Sequence, residues 1–157
     1  MARPVTLFTG QWADMPLEEL ARKASEWGYD GLELACWGDH FDPAAGADNP
    51  AYCEEKKSLL QKVGLRCWAI SHHLGGQCVL DKIDQRHYGL APDECKGDPE
   101  ATRQWGIDQM KAAARAASNM GIDVVCGFTG SPIWHLIYSF PPVEEEMIEE
   151  GFDLLAD

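Results

Sequence analysis

Glu33 is the most conspicuous candidate for chemistry in this chain. It stands inside the apolar run Gly31-Leu32-Glu33-Leu34-Ala35. In a strand, alternation puts Glu33 on one face with Gly31 and Ala35, and Leu32 and Leu34 on the other. With the leucines against helices, the carboxylate points to the sheet's inner side. There it must meet a cation, a hydrogen-bond donor or a sugar hydroxyl. The competing reading is a structural ion pair. The run continues as Cys36-Trp37-Gly38-Asp39-His40-Phe41-Asp42. A histidine near a carboxylate suits a proton shuttle or a ring-oxygen contact, because the carboxylate fixes the tautomer, so His40 and Asp42 join the candidates. The other reading makes Asp42 a helix cap before Pro43 and leaves His40 facing solvent.

A second cluster is Ser71-His72-His73-Leu74-Gly75-Gly76-Gln77. Adjacent imidazoles on an extended backbone point to opposite sides, so the two do not chelate one ion together. His72 is the preferred substrate or metal contact; His73 is a further substrate-side candidate. A third segment is Cys126-Gly127-Phe128-Thr129-Gly130-Ser131-Pro132. Thr129, Ser131 and nearby N–H groups can hold a hydroxyl or phosphate oxygen, although a plain turn explains them as well. The lysine and spacing of a P-loop are absent. Trp12, Trp37 and Trp134 each follow an apolar run, where flat rings make walls for a sugar; Trp12 and Trp37 are the better candidates. Cys36, His40 and His72 match no common zinc spacing.

What must position these groups is a thrice-repeated phrase, in which an amphipathic run ends at a glycine and becomes an apolar strand: SEWGYDGLEL, LQKVGLRCWAI and SNMGIDVVCGF. With the opening VTLFT this predicts four strand–helix units and an α/β fold with a parallel sheet. Strands are expected at 5–9, 31–35, 65–70 and 122–128. The first helix follows Asp14 as cap, with Leu17, Leu20, Ala21, Ala24 and Trp27 buried. The second opens at Asn49-Pro50. The third opens at Asp98-Pro99, with Ile107, Met110, Ala114 and Ala117 inward. The fourth begins near Pro142, and its glutamate run at 144–150 reads as a solvated face. The strand-to-helix connection from Ser71 to Asp98 is long, and such loops carry active sites on parallel barrels.

Charge narrows the ligand. Thirteen Lys+Arg against twenty-six Asp+Glu give a net charge of −13. That excess disfavours nucleic acid and anionic membrane surfaces as partners, and favours a small neutral or metal-chelated substrate. The six cysteines include no CxxC pair, and the N-terminus lacks a secretory pattern. Reduced thiols and a cytoplasmic location are expected.

FTGQW, GYDGLEL running into WGDHFDP, GLRCWAISHHLGGQ and MGIDVVCGFTGS together resemble the N-terminal half of the sugar phosphate isomerase/epimerase family. That family has the xylose-isomerase-like TIM barrel, which also includes type IV apurinic endonucleases. The resemblance implies a divalent metal ion (Mn, Mg, Co or Zn) and proton transfer between adjacent carbons of a sugar, polyol or sugar phosphate. It implies substrate-side roles for Trp12, Glu33, Trp37, His40 and His72, with His72 able to reach a metal. The family's usual metal ligands come from strands five to eight, so they are not expected here. Residues 1–157 are expected to be one domain, a half-barrel of four units. A homodimer or a separate C-terminal half-barrel would complete it. The alternatives are an abasic-site endonuclease and a non-catalytic, carbohydrate-binding half-barrel that dimerises.

Overall fold

Four parallel strands pair in chain order, β1 (Thr6–Phe8), β2 (Gly31–Ala35), β3 (Arg66–Ser71) and β4 (Val125–Cys126). The computed structural model describes residues 3–157. Its helices are α1 (Leu17–Glu26), α2 (Pro43–Asp48), α3 (Pro50–Gln61), α4 (His73–Leu80), α5 (Pro99–Met120) and α6 (Glu145–Ala156). This is the α/β, parallel, four-unit arrangement of half a TIM barrel. Contacts group the chain into two units: residues up to His72 with Lys111–Cys126, and His73–Met110 with Gly127–Asp157.

The first unit holds the sheet. Leu7 lies opposite Leu32, and Phe8 opposite Glu33. Between β2 and β3 the register slips after Leu32, so that Glu33 faces Ala69 and Ala35 faces Ser71. Ser71 in turn faces Cys126. Leu7, Leu32, Leu34 and Ile70 supply one face of the sheet. They pack with Leu17, Leu20, Ala21 and Ala24 of α1, Leu60 of α3, and Ala113, Ala116, Ala117 and Met120 of α5. Alternation therefore assigns Phe8, Glu33, Ser71 and Cys126 to the opposite face. The glycines that stop α1, α3 and α5 all have positive φ, at 86°, 80° and 69° for Gly28, Gly64 and Gly121. This left-handed conformation explains the glycine in each repeat of the phrase.

Several local expectations are corrected. The first-turn amide of α1 is capped not by Asp14 but by Asp39, whose carboxylate oxygens accept from Leu17 N at 3.1 and 3.2 Å. Asp42 accepts from Ala44 N and Ala45 N and so opens α2, a short helix that apolar spacing does not announce. Trp27 is 54% exposed, because α1 has ended before it. Ala114 is exposed, and the buried stripe of α5 runs through Ala113, Ala116 and Ala117. β1 and β4 are shorter than expected, and α6 starts at Glu145 rather than near Pro142. The long connection after β3 is partly structured, containing α4 and a 3-10 turn at Asp93–Cys95.

In the second unit, Leu80 N donates to Thr129 O at 2.9 Å, tying the end of α4 to the chain after β4. Cys78, Leu80, Ile83 and Cys95 are buried there. Among the described residues, no helix is long and apolar enough to cross a membrane.

Candidate functional site

The sheet face away from the helices gathers three polar side chains. Ser71 Oγ donates to Glu33 Oε1, linking the end of β3 to the middle of β2. Cys126 lies beside Ser71 in register, within reach of the Glu33 charge. Burial pushes the Cys126 thiol up, and the Glu33 charge pushes it further the same way. The thiol thus stays protonated at neutral pH. Ser71 is fully buried and Glu33 half-buried. Among the described residues no Lys or Arg pairs with Glu33. The carboxylate accepts from the neutral Ser71 hydroxyl.

An aromatic pair stands beside it. Phe8 neighbours Glu33 in register, and its ring meets Trp37 edge to face, with centroids 5.9 Å apart. Gly10 makes room for this pair, since a Cβ there would fall 2.3 Å from the Phe8 ring and 2.6 Å from Trp37. Trp37 is therefore next to the carboxylate's strand.

The other candidates lie elsewhere. His40 is fully buried, with Nδ1 3.0 Å from Thr9 Oγ1 and Nε2 3.0 Å from the Met15 carbonyl. Both ring nitrogens are engaged, so in this structure the ring braces Thr9 against Met15. Nor is it the solvent-facing ring of the competing reading. Asp42 is the α2 cap. Trp12 packs against the helix-side core and the Trp27 ring, centroids 6.3 Å apart, rather than lining the Glu33 face. His72 is buried just after β3, and its N–H donates to Cys126 O at 2.8 Å. His73 opens α4 in the second unit, where its ring meets Phe128 edge-on at 4.6 Å. Thr129 is exposed and donates to Gly130 O.

Two groupings escape the sequence reading. Ser71 and Cys126 are the first, although period-two alternation through β3 would have placed Ser71 on the inner face. The second lies in the second unit. Asp81 Oδ2 is 2.9 Å from His87 Nε2 and accepts from Gln77 Nε2 at 2.6 Å, while Oδ1 accepts from Ser131 N at 2.7 Å. Burial works against the Asp81 charge, but these donors hold its carboxyl below the usual range.

A family model described as a xylose isomerase-like TIM barrel matches residues 21–157. The chain belongs to the xylose isomerase-like TIM barrel family. The xylose isomerase-like barrels include sugar isomerases and epimerases as well as endonuclease IV, and are largely enzymes. No curated protein matches the chain. Among the described residues no group of three or more His, Cys, Asp or Glu is placed to hold a metal ion. Glu33 and Cys126 fall short of such a set.

Proposed function

We propose that the chain binds a small sugar or polyol, or its phosphate, on the Glu33 face, and serves an isomerase or epimerase that moves a proton between adjacent carbons. The observation that carries this reading is the Glu33 carboxylate, held by Ser71 on the face away from the helices without a cationic partner. Such a group accepts hydrogen bonds from hydroxyls, and vicinal hydroxyls suit its two oxygens. The Phe8–Trp37 pair adds an apolar wall of the kind that packs on the C–H face of a sugar ring. Together they supply orientation, which is the part of the reaction these residues can perform. A net charge of −13 supports a small ligand over the duplex DNA of an endonuclease. A divalent metal ion and a cytoplasmic setting belong to the same proposal, with no residue of this chain assigned to the metal.

The test is solvent-deuterium exchange. The chain is incubated in D2O with a panel of aldoses, ketoses, polyols and their phosphates, with Mn or Mg added, and carbon-bound deuterium is followed by NMR. The expected result is label at one carbon beside the carbonyl, together with saturable binding that Glu33→Gln abolishes. No exchange and no binding across the panel would overturn the proposal.

A further inference from the structure

Among the described residues β3 and β4 pair only through Ile70 with Val125 and Ser71 with Cys126, at the C-terminal end of β3. Toward the other end the two chains part, and a hollow of about 300 Å³ opens there. It is lined by Lys57 and Gln61 of α3, Arg66 and Trp68 of β3, and Ile122 and Asp123 of the turn into β4. All six belong to the first unit. The hollow thus lies between neighbouring elements at the N-terminal end of the strands. Parallel barrels carry out their chemistry at the opposite end, so the Glu33 reading does not account for it.

The polar groups of this hollow are mostly donors. The Trp68 Nε1–H is buried and has no hydrogen-bond partner among the described residues. A donor buried without an acceptor is costly, and one that persists calls for an explanation. The Arg66 guanidinium lies over the Trp68 ring, 4.5 Å from its centroid. Among the described residues no carboxylate pairs with it, in a chain with twenty-six acidic and thirteen basic side chains. Stacking uses the face of the guanidinium and leaves the N–H groups of its edge to an acceptor. Lys57 is a second cation. Its bond to Glu54 is a surface pair, the Glu54 side chain being 67% exposed, and such pairs yield readily. Asp123 is the one carboxylate among the described lining residues. The chemistry that fits is a group offering acceptors only.

We propose that this hollow binds a small organic phosphate. The phosphate oxygens accept from the Arg66 fork, the Lys57 ammonium and the Trp68 indole N–H, and the carbon part packs on Ile122. Three donors on separate side chains suit the three oxygens of a phosphate better than the two of a carboxylate. The hollow has the size of a small-molecule pocket, which leaves room for the carbon part. The proposal is independent of the Glu33 reading.

The probe is phenyl phosphate, with phenol as its neutral counterpart and benzoate as a carboxylate. Each is titrated into the full chain carrying isotope-labelled tryptophan. The indole N–H signals of its six tryptophans are followed by NMR, that of Trp68 being assigned by its loss in Trp68→Phe. Phenyl phosphate is expected to bind saturably, to move the Trp68 signal most, and to bind about tenfold more tightly than phenol or benzoate. Arg66→Gln and Lys57→Gln should each weaken it by about tenfold. An unchanged urea midpoint confirms that each variant still folds. Phenol binding as tightly as phenyl phosphate would make the hollow merely apolar and overturn the proposal. So would a Trp68 signal that stays still at saturation, or an affinity unchanged in both charge variants. Equal binding of benzoate would overturn the choice of phosphate.

Discussion

Ser71 and Glu33, 38 positions apart, are joined by a hydrogen bond from the serine hydroxyl to the carboxylate across the β2–β3 pair. Cys126, on the next strand, sits under the influence of that charge. Replacing the carboxylate by an amide keeps an acceptor for Ser71 but removes the negative charge that disfavours the Cys126 thiolate. Glu33→Gln is therefore expected to move the pH midpoint of Cys126 alkylation downward, with little change in stability. Iodoacetamide kinetics against pH, read by peptide mass spectrometry, check this. Cys36 and Cys67, which burial pushes up to about 12, serve as internal controls that stay slow. Ser71→Ala should instead lower the unfolding free energy by about 1–2 kcal/mol, because the half-buried carboxylate loses a donor. An unshifted Cys126 midpoint in Glu33→Gln would show that the charge does not reach the thiol.

His40 spans two segments through both of its ring nitrogens. Truncating it to alanine leaves a cavity and strands Thr9 Oγ1 and the Met15 carbonyl, both of which the ring engages at 3.0 Å. Thr9 Oγ1 also accepts from Ala35 N at 2.9 Å, so the damage extends to the end of β2. A loss of about 2–4 kcal/mol is expected for His40→Ala in urea denaturation. A variant as stable as the parent would return His40 to the list of free functional groups.

The contrast between Glu33 and His40 marks what a single sequence discloses. The face that Glu33 occupies is legible because alternation is local: Leu32 and Leu34 are fully buried on one side, and the carboxylate must take the other. The glycine stops of α1, α3 and α5 are legible for the same reason, each being a conformational demand on one residue. The partners of His40 come from 31 and 25 residues away, and nothing near it in the chain announces them. Likewise Asp39 caps α1 from a distance of 22 residues, so a nearer acidic residue, Asp14, looks like the cap. Ser71 needed the β2–β3 register, which shifts between Leu32 and Glu33 in a way that pattern does not specify. Long-range polar closure, rather than apolar periodicity, is where the reading runs short.

Gly76 in α4 carries a packing demand. A Cβ built there would lie 1.8 Å from the Phe128 carbonyl oxygen and 2.9 Å from its carbon. Backbone cannot yield as a side-chain tip can, so Gly76→Ala must push α4 away from the chain after β4. A destabilisation of about 3 kcal/mol or more is expected, or failure to fold. Gly89, where an added methyl would meet nothing within 4 Å, provides the comparison. Gly89→Ala should change stability by less than about 0.5 kcal/mol. Thermal melts of the two variants side by side decide the matter, and equal melting temperatures would remove the packing argument.

Asp81 gives the second unit a defined acid sensitivity. Burial opposes its charge, but the bonds from His87, Gln77 and the Ser131 N–H outweigh that and depress the carboxyl. A carboxyl depressed on folding contributes stability that is fully present above its unfolded value, near 3.9, and lost as pH falls through the lower folded value. Asp81→Asn exchanges one acceptor oxygen for an NH2 group. In one orientation that group faces the Gln77 amide donor, and in the other the Ser131 N–H, so one bond is lost whichever way it turns. At neutral pH the substitution is expected to cost about 2 kcal/mol, and the difference from the parent should shrink steadily below about pH 4. Urea denaturation of both proteins from pH 7 to pH 3 measures this directly. A difference that stays constant across that range would mean that the carboxylate's charge contributes nothing and that shape alone holds the Gln77–Asp81–Ser131 junction.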